Sequence, residues 1–341
     1  MTGNNISPFS GNVNPIEPYV RWESEEVIIN TADRYSKSPV KLPSLPDKGK
    51  ISAIKAHQVK LGKNEALRDD ILKQLKQDPV AFEKYNCLSD NDKVLFNKIA
   101  SGFSRPGIDN FGRSVPSGTH PGVIRMLRED KFEVFRLADR ISTMADDSGT
   151  TRPLSGEQLF FISEGLQVFD PALLGRLESE GLSIVLINPN RLPPDNAPDP
   201  KIAQISGHIK KKNSNVAACY FDQYKMIVFR TDMLRKGIVI HETTHAIDDM
   251  LAPDDPDKSK EPEILSRKDP EIKKLYEEFM QRVKVDPKAD WSDMNYAQTD
   301  AGEYLAMASE MYYGGEYTKE ILRKADPGIF NYVRKMMNDK N

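Results

Sequence analysis

The stretch Gly237-Ile238-Val239-Ile240-His241-Glu242-Thr243-Thr244-His245 contains the pattern His-Glu-x-x-His. On an α-helix, residues four positions apart lie on the same face, so His241 and His245 can direct their imidazoles at one metal ion. Glu242 lies one position further round the helix, where it can take a proton from a water molecule beside the metal. With 5 His and 51 acidic residues in 341, about one in a hundred chains of this composition would contain the pattern by chance.

This pattern is typical of zinc-dependent peptidases. The alternative is a buried structural helix that happens to carry two histidines. The flanking residues Ile238, Val239, Ile240 and Ile247 indicate a packed helix in either case. The fit of each residue type to its chemical role favours the metal site.

Length and composition set the broad class. A chain of 341 residues is long enough for two domains, or for one domain with a long appendage. Its net charge of -3 gives no electrostatic reason to expect nucleic acid or an anionic membrane as partner. Cys87 and Cys219 are the only cysteines, so we expect neither a disulfide framework nor a thiolate zinc site.

The N-terminal region differs in composition from the rest. Residues 1–50 are rich in Asn, Ser and Pro, which predicts a disordered segment. This segment is either a flexible tail or a recognition signal for a secretion machine or chaperone. Residues 1–21 lack the basic start and apolar core of a cleavable secretory signal, and no apolar run reaches membrane-spanning length.

The remainder divides into a mainly helical region of unknown role, residues 51–150, and an α+β domain, residues 151–341, that carries the motif. The helical signals of the first region are Ala66–Leu75, a capping box formed by Ser89 and Asp92, and two amphipathic segments in Val123–Ile141. A Gly- and Pro-rich loop, Ser101–Gly122, interrupts them, and Met144–Pro153 reads as a linker.

The second region predicts a small sheet between helices. Its predicted elements are a helix Ser155–Phe169 capped by Gln158, a helix from Asp170-Pro171 to Gly181, a buried strand Leu182–Ile187, a hairpin of Val216–Phe221 and Tyr224–Arg230, and the motif helix with Thr231 or Asp232 as N-cap. Helices starting at Asp269-Pro270 and near Thr299 follow.

A catalytic zinc needs a third protein ligand and an open position. The other histidines, His57, His120 and His208, all precede the motif, so we expect a carboxylate from a later helix. In the helix that opens at Asp269, Glu277 and Glu278 lie beside the apolar stripe and read as a solvated face.

Two further carboxylates remain. Glu303 and Glu310, seven residues apart, fall on one face of the apolar helix that starts near Thr299. A carboxylate within an apolar helix is costly unless it is paired or bound to metal, so both are candidates.

The segment His241-Glu242-Thr243-Thr244-His245-Ala246-Ile247-Asp248-Asp249 resembles the active-site helix of the anthrax lethal factor-like metallopeptidases, which include the Pro-Pro endopeptidases. In that family a tyrosine precedes the glutamate ligand by seven residues, and Tyr296 to Glu303 match this spacing. The resemblance implies a zincin-like fold for residues 151–341 and one Zn²⁺ bound by His241, His245 and Glu303. It also implies that Glu242 is the base and that Tyr296 donates a hydrogen bond to the developing oxyanion.

The chain departs from the family at one position. The family often carries a second glutamate four residues after the ligand, where this chain has Met307. Glu310 is a candidate to replace it behind the ligands. Asp248 is either a second such residue, orienting a ligand imidazole, or a surface acid at the end of the helix.

These observations predict a zinc endopeptidase that acts on a protein or peptide extended along an edge strand near Val216–Arg230. The resemblance suggests a bacterial toxin or secreted effector that acts on a host or rival-cell protein, exported without a cleavable signal. A cytoplasmic location is the alternative. Two other hypotheses stay open: an inactive zincin-like binding protein, and a partner-binding N-terminal helical region with a regulatory peptidase domain.

Overall fold

The computed structural model of the chain describes residues 71–101, 107–108, 114–115, 121–211, 217–252, 264–285 and 296–338. Their contacts define two compact units, one made of residues 139–154 and 161–338, the other of residues 71–138 and 155–160. The segment predicted to be disordered, residues 1–50, lies outside the described residues, as do His57 and His120. The domain boundaries drawn from the sequence stay a prediction.

The smaller unit is helical apart from one short ladder. Its helices are residues 71–75, α1 (Pro79–Cys87), α2 (Asp90–Ser101), α3 (Pro121–Arg128) and most of α4 (Phe132–Ile141), and its ladder pairs β1 (Gly107–Ile108) with β2 (Ser114–Val115). The ladder lies within the predicted loop Ser101–Gly122. The predicted capping box is confirmed, since the Asp92 amide donates to Ser89 Oγ at 3.2 Å and this hydroxyl donates to Asp92 Oδ2 at 2.6 Å.

The larger unit is built on a five-stranded mixed sheet. Its strands are β3 (Ser142–Ala145), β4 (Thr151–Arg152), β5 (Ser183–Ile187), β6 (Ala218–Phe221) and β7 (Met226–Arg230), in the order β4-β3-β5-β7-β6. Strands β3, β5 and β7 run parallel, and β4 and β6 are antiparallel strands at the two edges. The expectation of an α+β arrangement with a small mixed sheet is confirmed.

Helices pack on this sheet and on one another. In chain order they are α5 (Gly156–Leu166, shared between the units), α6 (Pro171–Ser179), α7 (Pro200–Lys211), α8 (Lys236–Met250), α9 (Leu265–Lys268), α10 (Pro270–Val285), α11 (Ala301–Gly314), α12 (Glu316–Ala325) and α13 (Pro327–Asn338). None of the described helices is long and apolar enough to cross a membrane.

The expected linker Met144–Pro153 is wrong, because it contains the end of β3 and all of β4. The sequence Ser-Thr-Met-Ala of β3 has no apolar run to signal a strand. Its conformation is decided by parallel pairing with β5, from Ser142 opposite Ile184 to Ala145 opposite Ile187.

Both faces of the sheet are buried at its central strands β5 and β7. Alternate residues of β5 and β7, including Val185 and Val228, pack against Ile202 and Ile205 of α7. The intervening residues, among them Ile227, are buried on the other side, and α8 contacts both β6 and β7. This burial on two faces explains why the strand predicted at Leu182–Ile187 is a continuous apolar run.

The predicted hairpin is confirmed with shorter strands. Strands β6 and β7 are joined by a 3₁₀ turn, Asp222–Tyr224, and by Lys225 in the left-handed conformation (φ 48°). The hairpin leads into α8, but the N-cap of α8 is Arg235 rather than Thr231 or Asp232. Asp232 has another partner, since its carboxylate accepts two hydrogen bonds from Arg230, of 3.1 and 2.8 Å.

Candidate metal centre

The two histidines of the motif lie one turn apart on α8, as the spacing predicts. Their Nε2 atoms are 3.3 Å apart, and His241 and His245 are only 7% and 8% exposed. Helix α8 is buried along almost its whole length, between the sheet and the later helices. The imidazoles are therefore held in the interior, where few rotamers are open to them.

Glu303 reaches these histidines from the first turn of α11. The carboxylate of Asp300 caps this helix by accepting hydrogen bonds from the amides of Gly302 (2.7 Å) and Glu303 (3.1 Å). Helix α11 packs against α8, which brings Glu303 Oε2 to 3.0 Å from His241 Nε2 and 3.4 Å from His245 Nε2. Glu303 is fully buried.

His241, His245 and Glu303 could hold a metal ion, because one ligand atom from each lies within 4.8 Å of the other two. Among the described residues, this is the group of His, Cys, Asp and Glu side chains placed closely enough to do so. Bonds of about 2.0–2.1 Å to a tetrahedral zinc would place two ligand atoms about 3.3 Å apart. The three observed separations, 3.0, 3.3 and 3.4 Å, fit this value. In addition, the second carboxylate oxygen of Glu303, Oε1, is buried without a hydrogen-bond partner.

The electrostatics of the group complement a cation. Burial opposes protonation of the His241 imidazole, but hydrogen bonds to Glu303 and Glu310 and the negative charge of Glu303 raise its pKa well above the ordinary value. Burial is also the largest single influence on His245 and lowers its pKa, but the charge and the hydrogen bond of Glu303 together give a net upward shift. Burial would raise the pKa of Glu303, but the two imidazoles hold it at about 2. The site thus keeps one anionic carboxylate facing two groups that readily bind positive charge.

Glu242 lies beside this group without joining it. It is 5% exposed, and its Oε2 atom is buried with no hydrogen-bond partner. Burial raises the pKa of its carboxyl group, and although the imidazoles of His241 and His245 and the backbone N–H of Tyr220 lower it, the net shift is upward. A carboxyl group with a raised pKa and a free oxygen is suited to accepting and returning a proton.

The Tyr220 amide belongs to an edge strand. The Arg230 N–H donates to the Ala217 carbonyl at 3.0 Å, and the alternation of an antiparallel ladder then turns the N–H and C=O groups of Ala218 and Tyr220 away from β7. These groups face the outer edge of the sheet, where the Tyr220 N–H donates a hydrogen bond to the Glu242 carboxylate.

The side chain of Tyr220 fastens the same strand to α8. Its hydroxyl donates to Asp249 Oδ2 at 2.6 Å, and Lys225 Nζ donates to the same oxygen. Both ends of the turn between β6 and β7 are thereby tied to the helix that carries the two histidines.

Tyr296 lies next to the first histidine. The centroids of the Tyr296 and His241 rings are 5.8 Å apart. Tyr296 begins the 3₁₀ turn 296–298 that precedes α11, and the hydroxyl of Tyr276 from α10 donates to the Gln298 carbonyl at 3.0 Å. The tyrosine that the family resemblance singled out is therefore brought to the site.

The two acids predicted behind the ligands differ in their contacts. Glu310 Oε2 lies 3.5 Å from His241 Nδ1, the ring nitrogen that faces away from Glu303. Asp248 is 1% exposed, so the alternative of a surface acid is wrong. Its carboxylate accepts hydrogen bonds from the amide (2.6 Å) and hydroxyl (2.7 Å) of Ser266. An orienting role of Asp248 toward an imidazole stays a prediction.

The sequence did not single out several residues that shape the site, namely Tyr220, Gly237, Asp249, Ser266 and Tyr276. Two of them carry a signal in hindsight. Tyr220 is an aromatic residue in a strand predicted to lie at the sheet edge, and Gly237 is a glycine inside a helix, four residues before His241. The partners Ser266 and Tyr276 depend on how distant segments pack.

No family model matches the chain, and no curated protein matches it. Among solved structures, the chain is similar to a Pro-Pro endopeptidase from Paenibacillus alvei. The identity is 17%, the match covers 59% of this chain and 99% of that one, and the TM-score is 0.40.

Proposed function

We propose that the chain is a zinc-dependent endopeptidase whose larger unit is a zincin-like catalytic domain. The observation that carries the proposal is the buried triangle of His241 Nε2, His245 Nε2 and Glu303 Oε2 with the carboxylate of Glu242 beside it. Two neutral imidazoles and one carboxylate are the donor set of catalytic zinc sites, which leave one position open.

A zinc ion bound there would supply Lewis-acid activation of water and of the scissile carbonyl. Glu242 accepts the proton of the attacking water and returns it to the leaving amine. Its upward-shifted pKa and its free oxygen support both halves of this cycle. Tyr296 donates a hydrogen bond to the oxyanion that develops at the carbonyl.

The substrate binds as an extended peptide along β6. The N–H and C=O groups of Ala218 and the C=O group of Tyr220 point to the outer edge of this strand, beside Glu242, and such groups can pair with a peptide backbone. Backbone pairing accepts many sequences, so we propose a protein or peptide substrate without naming the bond that is cut.

The test compares the wild type with Glu242→Gln, and with Glu277→Gln on the exposed face of α10 as a matched control. Bound zinc and cleavage of a peptide library are measured on each protein. We expect one zinc per chain in all three proteins and cleavage by the wild type and the control only. Zinc in all three without any cleavage would favour the inactive binding protein. Absence of zinc from all three would reduce the motif to a coincidence.

The biological setting is proposed from the sequence alone. The family resemblance and the composition of residues 1–50 support a secreted effector or toxin that acts on a protein of a host or rival cell. Export assays with and without residues 1–50 address this part. Secretion that depends on the segment supports it, and a protein that stays in the cytoplasm under every condition contradicts it.

A further inference from the structure

Gly237 is the second residue of α8 and lies one turn before His241. Its backbone is helical, so the position does not require glycine for conformational reasons. Glycine in a helix is less stable than alanine because it loses more backbone entropy on folding. A helical glycine at this position therefore needs another explanation.

The space above Gly237 is filled by the side chain of Glu310. A Cβ atom added at Gly237 would lie 2.4 Å from Glu310 Oε1, 3.1 Å from its Cδ and 3.3 Å from its Cγ. Contacts this short exclude a methyl group unless the carboxylate moves. The Glu310 carboxylate is partly exposed and lies at the end of a flexible side chain. We therefore expect the carboxylate to move, and not α8 or α11.

The other oxygen of the same carboxylate faces the metal-binding histidine. Glu310 Oε2 lies 3.5 Å from His241 Nδ1, while His241 Nε2 faces Glu303 and His245. An imidazole that binds metal through Nε2 carries its proton on Nδ1, and a carboxylate behind it fixes this tautomer and the ring orientation.

We propose that Gly237 is a positioning residue for the metal site: the space left by its missing side chain holds Glu310 where its carboxylate accepts a hydrogen bond from the Nδ1–H group of His241. This inference rests on the proposed function, because the tautomer matters only if His241 binds metal. Gly237 lies in α8 and Glu310 in α11, and together they would fix the orientation of the His241 ring.

The experiment is a double-mutant cycle on the full chain with Gly237→Ala, Glu310→Ala and the double variant. Gly175→Ala is the matched control, because Gly175 is also helical but has open space where its Cβ would be. Zinc affinity is measured by competition with a chromophoric chelator, thermal unfolding is measured on the metal-free proteins, and ¹H–¹⁵N spectra report the tautomer of His241.

We expect Gly237→Ala and Glu310→Ala each to weaken zinc binding by about tenfold, with the double variant no weaker than Glu310→Ala. In the zinc-loaded protein, both single variants should move the Nδ1–H proton signal of His241 upfield, because that proton loses its carboxylate acceptor, and Gly175→Ala should leave the signal in place. Gly175→Ala alone should raise the Tm of the protein. Gly237→Ala should raise Tm only when it is combined with Glu310→Ala.

Unchanged zinc affinity in Gly237→Ala, or losses that add in the double variant, would overturn the proposal. If the wild type itself binds no zinc, the proposed function fails, and the assignment of Gly237 to the metal site fails with it. The Tm cycle on metal-free protein then still shows whether Gly237 and Glu310 are coupled, which separates the two failures.

Discussion

His241 has a carboxylate on each side of its ring, and the two carboxylates differ in character. Glu303 is fully buried, lies 3.0 Å from Nε2 and leaves its other oxygen without a partner. Glu310 is part-exposed and lies 3.5 Å from Nδ1. Because a buried carboxylate oxygen without a partner is costly, a cation in the site would stabilise Glu303 most, whereas Glu310 lies on the far side of the imidazole.

Replacing Glu303 by Gln should therefore abolish tight metal binding. The change removes the anionic ligand at nearly constant volume, so we expect zinc affinity to fall by more than the roughly 10–100-fold that a residue behind a ligand contributes. Competition with a chromophoric chelator measures the loss, and Glu277→Gln should show none. Equal zinc affinity in Glu303→Gln and wild type would remove Glu303 from the ligand set.

Asp248 makes the stability of the metal-free protein depend on pH. Burial raises its pKa from 3.8 to about 6, although hydrogen bonds from Ser266 oppose the shift. A carboxyl group whose pKa is raised on folding stabilises the protein most below its unfolded pKa, and this contribution is lost as pH rises through about 6. The whole effect corresponds to about 3 kcal/mol.

Asp248→Asn should remove this dependence, because an amide can keep both contacts with Ser266. Denaturant unfolding of the two metal-free proteins between pH 4 and 7 measures it. We expect the variant to gain stability relative to the wild type as pH rises through this range. Parallel pH profiles would contradict the assignment.

Residues of the site that contact one another within a single helix can be predicted from the sequence, whereas those that come together from distant segments are harder to predict. His241 and His245 follow from helical spacing alone. Glu303 lies 62 residues from His241. Helical periodicity therefore makes Glu303 and Glu310 equal candidates for the third ligand, and only the family resemblance favours Glu303. The bond from Ser266 to Asp248 joins two segments whose approach no local pattern encodes.

At the scale of elements, strong local signals predict structure and weak ones do not. The β-branched run of β5 and the caps of α2, α5 and α6 predict those elements near their observed ends. Strand β3 is short and partly polar, and it exists because β5 pairs with it. Helix α7 has no counterpart among the predicted elements.

The contact between β6 and α8 gives a prediction at the same scale. Tyr220→Phe removes the hydroxyl that donates to Asp249, which should destabilise the fold by about 1 kcal/mol and loosen the edge strand. If β6 binds the substrate backbone, KM should rise more than kcat falls, with zinc content unchanged. Tyr317→Phe, at an exposed tyrosine, is the control. An unchanged KM would argue against substrate binding along β6.

At the scale of the larger unit, the packing of the late helices converges on Asp326. This residue is 1% exposed and accepts hydrogen bonds from the Tyr304 hydroxyl (2.7 Å), the Arg282 guanidinium and the Ile329 amide (3.2 Å). It thereby links α10, α11 and α13, and Tyr304 directly follows Glu303. Helical periodicity predicts the separate helices but not this convergence, which depends on their order in space.

Asp326→Ala should destabilise the protein by about 2–3 kcal/mol, because it leaves a buried hydroxyl and a guanidinium without their acceptor. Asp199→Ala is a matched control that removes only an N-terminal cap of α7, for which we expect a loss of about 1 kcal/mol. Denaturant unfolding measures both. A loss in Asp326→Ala no larger than in the control would show that this cluster is not a main source of stability.

We expect His241, His245 and Glu303 to bind one zinc ion. Anomalous diffraction at the zinc absorption edge, from crystals of the zinc-loaded wild type, tests it directly because it locates the metal without reference to activity. We predict one strong peak about 2.0–2.2 Å from His241 Nε2, His245 Nε2 and Glu303 Oε2. A loaded crystal with no peak at these atoms, or with its peak at other residues, would contradict the claim.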